Sequence, residues 1–391
     1  MDTDVLIIGA GPAGLAVAGS LVQRGRTPLV VEQAEQVASS WRAHYERLHL
    51  HTVKQLSALP GVPFPDHCPR YVSRQALVDY LADYAQRHRI APRLGERVLA
   101  ITRSGAGWQT LTQAGTRYES RSVVLATGAN CEPRLPTLPG QTQYRGRVLH
   151  SREYRNAAPF AGQRVLVVGM GNTGAEIALD LVEQGVQAAL SVRSPVNIVH
   201  RDVLGRPTQL TSIQIAKLPA AWGDAIATMF RKLTVGDLSR WGLQTSTMSP
   251  LRQLREHGRT PVIDVGTLAR IRRGEIKVHP GIEACTADGL RFADGSEHAF
   301  DAVILATGYA PTIQRLFPGL PLPLDRNGMP SDVVGQGALA GLFFVGFDNR
   351  QPGGVLRTIG QQAQRVADAL CSLAPAPAPA SASAHPPASS T

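Results

Sequence analysis

The run Val5-Leu6-Ile7-Ile8-Gly9-Ala10-Gly11-Pro12-Ala13-Gly14 decides the fold. Its first four residues are uninterruptedly apolar, as a strand buried on both faces of a parallel sheet requires. The next six have the G-x-G-x-x-G spacing. The first glycine allows a tight turn, the second lets the backbone approach a pyrophosphate, and the third lets helix and strand pack closely. A helix is predicted from Pro12 to Arg24, with Gly25 as its stop. A second strand, Leu29-Val30-Val31, ends at Glu32.

The same plan recurs downstream. Val165-Leu166-Val167-Val168 is a second buried strand, followed by Gly169-Met170-Gly171-Asn172-Thr173-Gly174. A helix extends to Gln184, Gly185 closes it, and a strand from Ala188 to Val192 ends at Arg193. Each half also carries a strand running into a small-residue turn, Val123 to Gly128 and Val303 to Gly308, both ending Ala-Thr-Gly. Before each lie short alternating segments, Trp108 to Tyr118 and Ile276 to Phe292, which predict a small antiparallel ribbon on each sheet. The expected fold is α/β, with two Rossmann-like dinucleotide-binding domains, the second inserted into the first.

The strand-end residues separate the ligands. Glu32 lies 23 residues after Gly9. A carboxylate there accepts hydrogen bonds from ribose hydroxyls and repels a 2′-phosphate. Arg193 lies 24 residues after Gly169, and a guanidinium there suits a 2′-phosphate. The first unit is therefore assigned FAD and the second NADPH. The FAD set is Gly9, Gly11, Pro12, Ala13, Gly14, Glu32 and Gln33. The NADPH set is Gly169, Gly171, Asn172, Thr173, Gly174 and Arg193, with Arg201 as a second candidate for the phosphate. Asn172 either reaches toward the nicotinamide or caps its helix. No Gly-Lys-Ser/Thr follows either turn, which disfavours a P-loop kinase or ATPase.

The chain has 391 residues, 43% of them hydrophobic, enough for two or three domains. Its formal net charge is +10. The arginines that dominate this charge are scattered, with no dense basic run, so nucleic acid is not an expected partner. No apolar run reaches the ~20 residues of a membrane span. The start, Met1-Asp2-Thr3-Asp4, lacks the features of a secretory signal. Cys68, Cys131, Cys285 and Cys371 stand apart, without the C-x-x-C of a zinc knuckle or redox disulfide, so no metal site is expected. Plain thiols in a reducing compartment fit a cytoplasmic protein. The Ala/Pro/Ser tail, 374–391, is expected to be disordered.

Between the two units lies Tyr144-x-Gly146-x-x-x-His150-x-x-x-Tyr154. It resembles the F-x-G-x-x-x-H-x-x-x-[FYW] fingerprint of the flavin-containing monooxygenases, with Tyr in place of the first Phe. Trp41-Arg42-Ala43-His44-Tyr45-Glu46-Arg47-Leu48 resembles that family's W-R-x-x-Y-x-x-L stretch near the flavin, and Ala306-Thr307-Gly308-Tyr309 its A-T-G-Y. A closer resemblance, from Val5 to Leu370, is to the plant YUCCA flavin monooxygenases. It is carried by Leu48-His49-Leu50, Pro63-Phe64-Pro65, Gly171 to Glu176, Gly258 to Thr267 and Arg270 to Val278. Two departures stand out. His51-Thr52-Val53-Lys54 follows Leu48-His49-Leu50 where the family commonly has Pro-Lys, and the Asn that many flavin-containing monooxygenases place beside the flavin is not found there.

The resemblance implies an FAD- and NADPH-dependent monooxygenase acting through a flavin C4a-(hydro)peroxide on dioxygen and a small-molecule substrate. It implies oxidative decarboxylation of a 2-oxo acid such as indole-3-pyruvate to indole-3-acetate. An N- or S-oxygenating activity is the alternative reaction, and a non-catalytic flavin-binding redox sensor the alternative class. No side chain need act as a covalent nucleophile. Trp41 and Arg42 join the FAD set; His150 is read as a residue positioning the two domains, and Asp264 as structural. Arg42 and Lys54 could also meet a substrate carboxylate. The domains are expected at 1–155 (FAD, first part), 156–299 (NADPH) and 300–373 (FAD, second part).

Overall fold

The computed structural model describes residues 1–373. The tail expected to be disordered lies outside the described residues.

Asp2–Ile8 is the axis of the first sheet. It pairs in parallel with Leu29–Val31 on one side and Arg117–Leu125 on the other. Its apolar half, Val5 to Ile8, is at most 5% exposed, because both faces of the sheet are covered. The ribbon expected before the first Ala-Thr-Gly is present: Val98–Ser104, Gly107–Thr112 and the start of Arg117–Leu125 pair antiparallel. Arg117–Leu125 serves twice, since its other end pairs in parallel with Leu342–Phe344. Helix Pro12–Val22 buries ten of its eleven residues, being rich in Ala, Gly, Leu and Val. A helix apolar all round suits a place between the sheet and helix Val355–Ser372, which packs on it. Gly25, at φ +75°, closes its C-terminus.

The second sheet has five parallel strands, in the order Lys277–His279, Gln187–Ser191, Arg164–Val168, Ala302–Leu305, Arg147–His150. Helix Asn172–Glu183 follows its glycine turn. The second ribbon is three-stranded, Ile282–Cys285, Gly289–Phe292 and Glu297–Ala299. The start of the segment expected there, Lys277–His279, lies instead in the parallel sheet.

The domain boundaries need correction. Arg147–His150 and Ala302–Leu305 both pair within the second sheet, so that unit reaches beyond 156–299 on each side. Ala302–Leu305 is the strand that carries Ala306-Thr307-Gly308, and it closes the second unit as Arg117–Leu125 serves the first. The chain returns to the first sheet only with Leu342–Phe344.

Candidate functional site

Each glycine turn is held by a carbonyl at its back and left open at its front. Gly9 has φ +107°, and a Cβ there would lie 2.5 Å from the Ala126 carbonyl oxygen. A Cβ on Gly14 would lie 1.8 Å from the Gly9 oxygen. Gly11, with φ −81°, is different: a Cβ there would meet nothing within 4 Å. The second turn repeats all three relations. Gly169 (φ +101°) backs onto the Ala306 oxygen at 2.8 Å, Gly174 onto the Gly169 oxygen at 2.0 Å, and Gly171 is open. This is the physical reason each glycine turn has its own Ala-Thr-Gly. Gly11 and Gly171 are also the N-caps of the following helices, with no side-chain cap. The first N–H groups of each helix are therefore available to an anion in the space before the open glycine. The residues present fit a dinucleotide pyrophosphate at both turns.

Glu32 ends the second strand of the first unit, 6% exposed. Its carboxylate accepts from Ala10 N–H at 2.7 Å, Ala34 N–H at 3.0 Å and Ser39 Oγ at 3.3 Å. These bonds fix it against the first turn. Gln33 beside it is exposed. Ala38 N–H donates to the Ala10 carbonyl at 3.0 Å, which seats the short helix Ser39–Arg42 beside the same turn. Trp41 on this helix is half-buried against the first core, and Arg42 donates to the Val37 carbonyl. Pro12 and Ala13 are buried at the helix start.

In the second unit, Arg193 is exposed beyond Gln187–Ser191 and makes no ion pair among the described residues. Thr173 is half-buried at the helix start. Asn172 does not cap its helix. Gly171 is the N-cap, and the Asn172 amide accepts from Ile263 N–H at 2.7 Å and donates to the Pro261 carbonyl at 3.3 Å. It binds the Thr260-Pro261-Val262-Ile263 run to the glycine turn. Arg201 stands apart from the strand that leads to Arg193. It follows Ile198–His200, which pairs only with Val262–Asp264 among the described strands, outside the five-stranded sheet.

The fingerprint proves to be stitching. The Tyr144 ring folds over Gly146, where a Cβ would lie 2.3 Å from it, and its hydroxyl donates to the Phe300 carbonyl. His150 is 2% exposed. Its Nδ1 accepts from Arg152 N–H and its Nε2 faces the Gly308 carbonyl, 3.1 Å in both cases. Those partners select the neutral imidazole, and burial lowers its pKa in the same sense. Tyr154 donates to Asp180 at 2.7 Å.

Sequence reasoning overlooked a polar seam between the units. Helix Asn172–Glu183 places Glu176, Asp180 and Glu183 one helical turn apart, on one face. The W-R-x-x-Y-x-x-L segment and its continuation meet this face. His51 Nε2 approaches Glu176 Oε1 to 2.6 Å, an ion-pair distance without hydrogen-bond alignment. Arg47 pairs with Glu183 at 2.7 Å and lies 3.7 Å from Glu176. Burial, reinforced by Glu176, raises the Tyr45 pKa well above the ordinary phenol value. Burial likewise raises that of Asp180. The signal was present as three acids at helical spacing in an otherwise apolar helix.

A cavity of about 230 Å³ lies at the meeting of the units. His51 and Thr52 line it from the first unit, Asn172, Arg201 and Gln209 from the second, and Gly353 to Val355 from the returning chain. Gln209 spans it: its Oε1 accepts from Val53 N–H at 2.8 Å and its Nε2 donates to the Gly353 carbonyl. Helix Val355–Ser372 begins at this wall with Gly354 as its N-cap and no side-chain cap. Lys54 points elsewhere, its Nζ bonded to the carbonyls of Pro65, Asp66 and Cys68. A wider surface groove of about 750 Å³ beside helix Ala220–Thr234 involves neither glycine turn.

A family profile described as "Flavin-binding monooxygenase-like" matches residues 2–318. The chain is 37% identical over 352 residues to the probable indole-3-pyruvate monooxygenase YUCCA1 of Arabidopsis thaliana, covering 88% of this chain and 85% of that protein. It is 36% identical over 375 residues to the indole-3-pyruvate monooxygenase YUCCA1 of Oryza sativa subsp. japonica, covering 94% and 91%. Among solved structures, a flavin-containing monooxygenase from Stenotrophomonas maltophilia superposes with a TM-score of 0.72 at 23% identity, covering 95% of this chain and 98% of the other.

Proposed function

The chain belongs to the flavin-binding monooxygenase-like family, and on that premise we propose that it oxidises an apolar 2-oxo acid with dioxygen and NADPH. The products are carbon dioxide, water, NADP⁺ and an acid one carbon shorter. Indole-3-pyruvate, the compound in the names of the YUCCA relatives, is the proposed substrate, and indole-3-acetate the product. Members of the family are FAD- and NADPH-dependent enzymes. When bound, NADPH supplies hydride and FAD the activation of dioxygen; the protein supplies geometry, electrostatics and dryness.

The observation that carries this reading is the pair of cradles, each with one open glycine and each ending in a residue of opposite charge. Glu32, pinned against the first turn, presents acceptors to the adenosine hydroxyls of FAD. Arg193, free at the second, receives the 2′-phosphate of NADPH. The open N-terminus of Val355–Ser372 turns N–H groups and partial positive charge toward the cavity, where they would favour an electron-rich group. Gln209 joins the walls across the cavity and helps to keep water from the reacting atoms.

The test is reduction of the yellow protein without oxygen, then product assay on its admission. NADPH is expected to bleach the flavin faster than NADH, and indole-3-pyruvate to give indole-3-acetate. Arg193→Ala should weaken NADPH by roughly tenfold to a hundredfold and leave NADH nearly unchanged, the loss of one charge-assisted contact. A flavin that NADPH does not bleach overturns the reading. Oxygenated amines or thioethers in place of indole-3-acetate would transfer it to N- or S-oxygenation.

A further inference from the structure

We propose that Arg201 anchors the carboxylate of the substrate, and so selects acids with an apolar body. The inference rests on the function proposed above and deepens it. The placement of Arg201 is the first reason. Ile198–His200, which it follows, lies outside the five-stranded sheet whose second strand leads to Arg193. Arg201 is therefore off the nucleotide-binding edge and on the cavity wall.

The guanidinium is held in advance of any ligand. It lies over the Tyr71 ring, 4.0 Å from the centroid. Its Nε donates to Asp202 Oδ2 at 3.2 Å. Asp202 is itself fixed by the Tyr71 hydroxyl, which donates to Oδ1 at 2.5 Å, and faces Arg70 at 3.8 Å. One edge and one face of Arg201 are thus occupied; among the described residues its Nη atoms have no hydrogen-bond or ion-pair partner, and that edge of the guanidinium fork matches the geometry of a carboxylate. Two arginines around one aspartate leave the group a net positive charge.

The rest of the cavity suits an apolar body. Ile215, Phe230, Leu251, Leu254 and Ile263 form much of its wall. Among the lining residues Arg201 is the only arginine or lysine. His51 is engaged with Glu176. The one lining carboxylate, Asp348, accepts from Arg350 N–H at 2.8 Å in its own loop.

Calorimetric titration of the FAD-loaded protein tests this with two probes, indole-3-acetate and indole-3-acetamide, which share a ring and differ in charge. The native protein is expected to prefer the acid. Arg201→Gln should raise the Kd of the acid roughly tenfold to a hundredfold and that of the amide about twofold at most. Arg201→Lys should recover part of the loss. NADP⁺ affinity and the anaerobic bleaching rate with NADPH should not change. Equal losses for acid and amide, or weakened NADP⁺ with unchanged acid binding, would overturn the assignment; the second result returns Arg201 to the phosphate. If Arg201→Gln fails to retain FAD, Arg201→Lys carries the same comparison. The titration needs no turnover, so it is decided separately from the proposed reaction, which the bleaching experiment tests.

Discussion

His200 and Asp264 show what one partly buried pair contributes. His200 Nδ1 faces Asp264 Oδ2 at 3.0 Å and its Nε2 faces the Thr234 carbonyl at 3.2 Å. Two acceptors favour the imidazolium, and the bond to Asp264 raises the His200 pKa. Burial opposes ionisation of Asp264, but bonds from His200 and the N–H groups of Leu268 and Gly266 outweigh it and lower its pKa. The His200 contribution is complete below its unfolded pKa, about 6.5, and is lost as pH rises through the raised folded value. The Asp264 contribution is complete above its unfolded pKa, about 3.9, and is lost as pH falls through the lowered one. Asp264→Asn should therefore lower the unfolding free energy by about 2 kcal/mol near pH 6, and by less at pH 9. Guanidinium melts at the two pH values check this; a difference independent of pH would mean His200 stays neutral. The structural reading of Asp264 was available from sequence, but its partner was not, because the two lie on different strands of a small sheet. The strand-end positions of Glu32 and Arg193 were legible for the opposite reason: they are set by counting from a glycine. The partners of Asn172 and Arg201 could not be counted that way, since Asn172 bonds backbone at Pro261 and Ile263, and Arg201 stacks on Tyr71 in the other unit.

At the scale of elements, each strand–turn–helix separates two functions within one motif. Gly14 touches its own turn and Gly11 touches nothing. Gly11→Ala should fold normally and bind FAD roughly tenfold to a hundredfold more weakly, the overpacking cost of one methyl in the pyrophosphate space. Gly171→Ala should retain FAD and weaken NADPH to a similar extent. Gly14→Ala should fail to give folded protein, because its Cβ would overlap the Gly9 carbonyl. Circular dichroism with flavin and NADP⁺ titrations separates the three; equal behaviour of Gly11→Ala and Gly14→Ala would refute the division. These elements were readable because their signals are local: apolar runs, glycine spacing, a glycine at each helix end. Hairpin Asp202–Val203 with Arg206–Pro207 and helix Thr208–Ile215, which bring Arg201 and Gln209 to the cavity, have no such period and went unread.

Across the whole molecule, the units meet through charge as well as apolar contact. Glu176 is 3% exposed and faces both His51 and Arg47. Glu176→Ala leaves those groups without their partner and should cost about 3–5 kcal/mol, as when one member of a buried ionic cluster is removed. Chemical denaturation checks this; a loss below about 1 kcal/mol, typical of an exposed pair, would mean that the seam is solvated. The duplicated plan was visible in the sequence, and the seam was hidden because its members are spread from Tyr45 to Glu183. Strand Arg117–Leu125 has a consequence in time. Its parallel neighbour Leu342–Phe344 and the helix Val355–Ser372 leave the ribosome after Leu305, whereas all five strands of the second sheet lie between Arg147 and Leu305. During synthesis the second sheet is complete before the first, which waits with an open edge for Leu342–Phe344. A nascent chain that has passed Leu305 but not Leu342 thus carries a finished second sheet beside an unfinished first one.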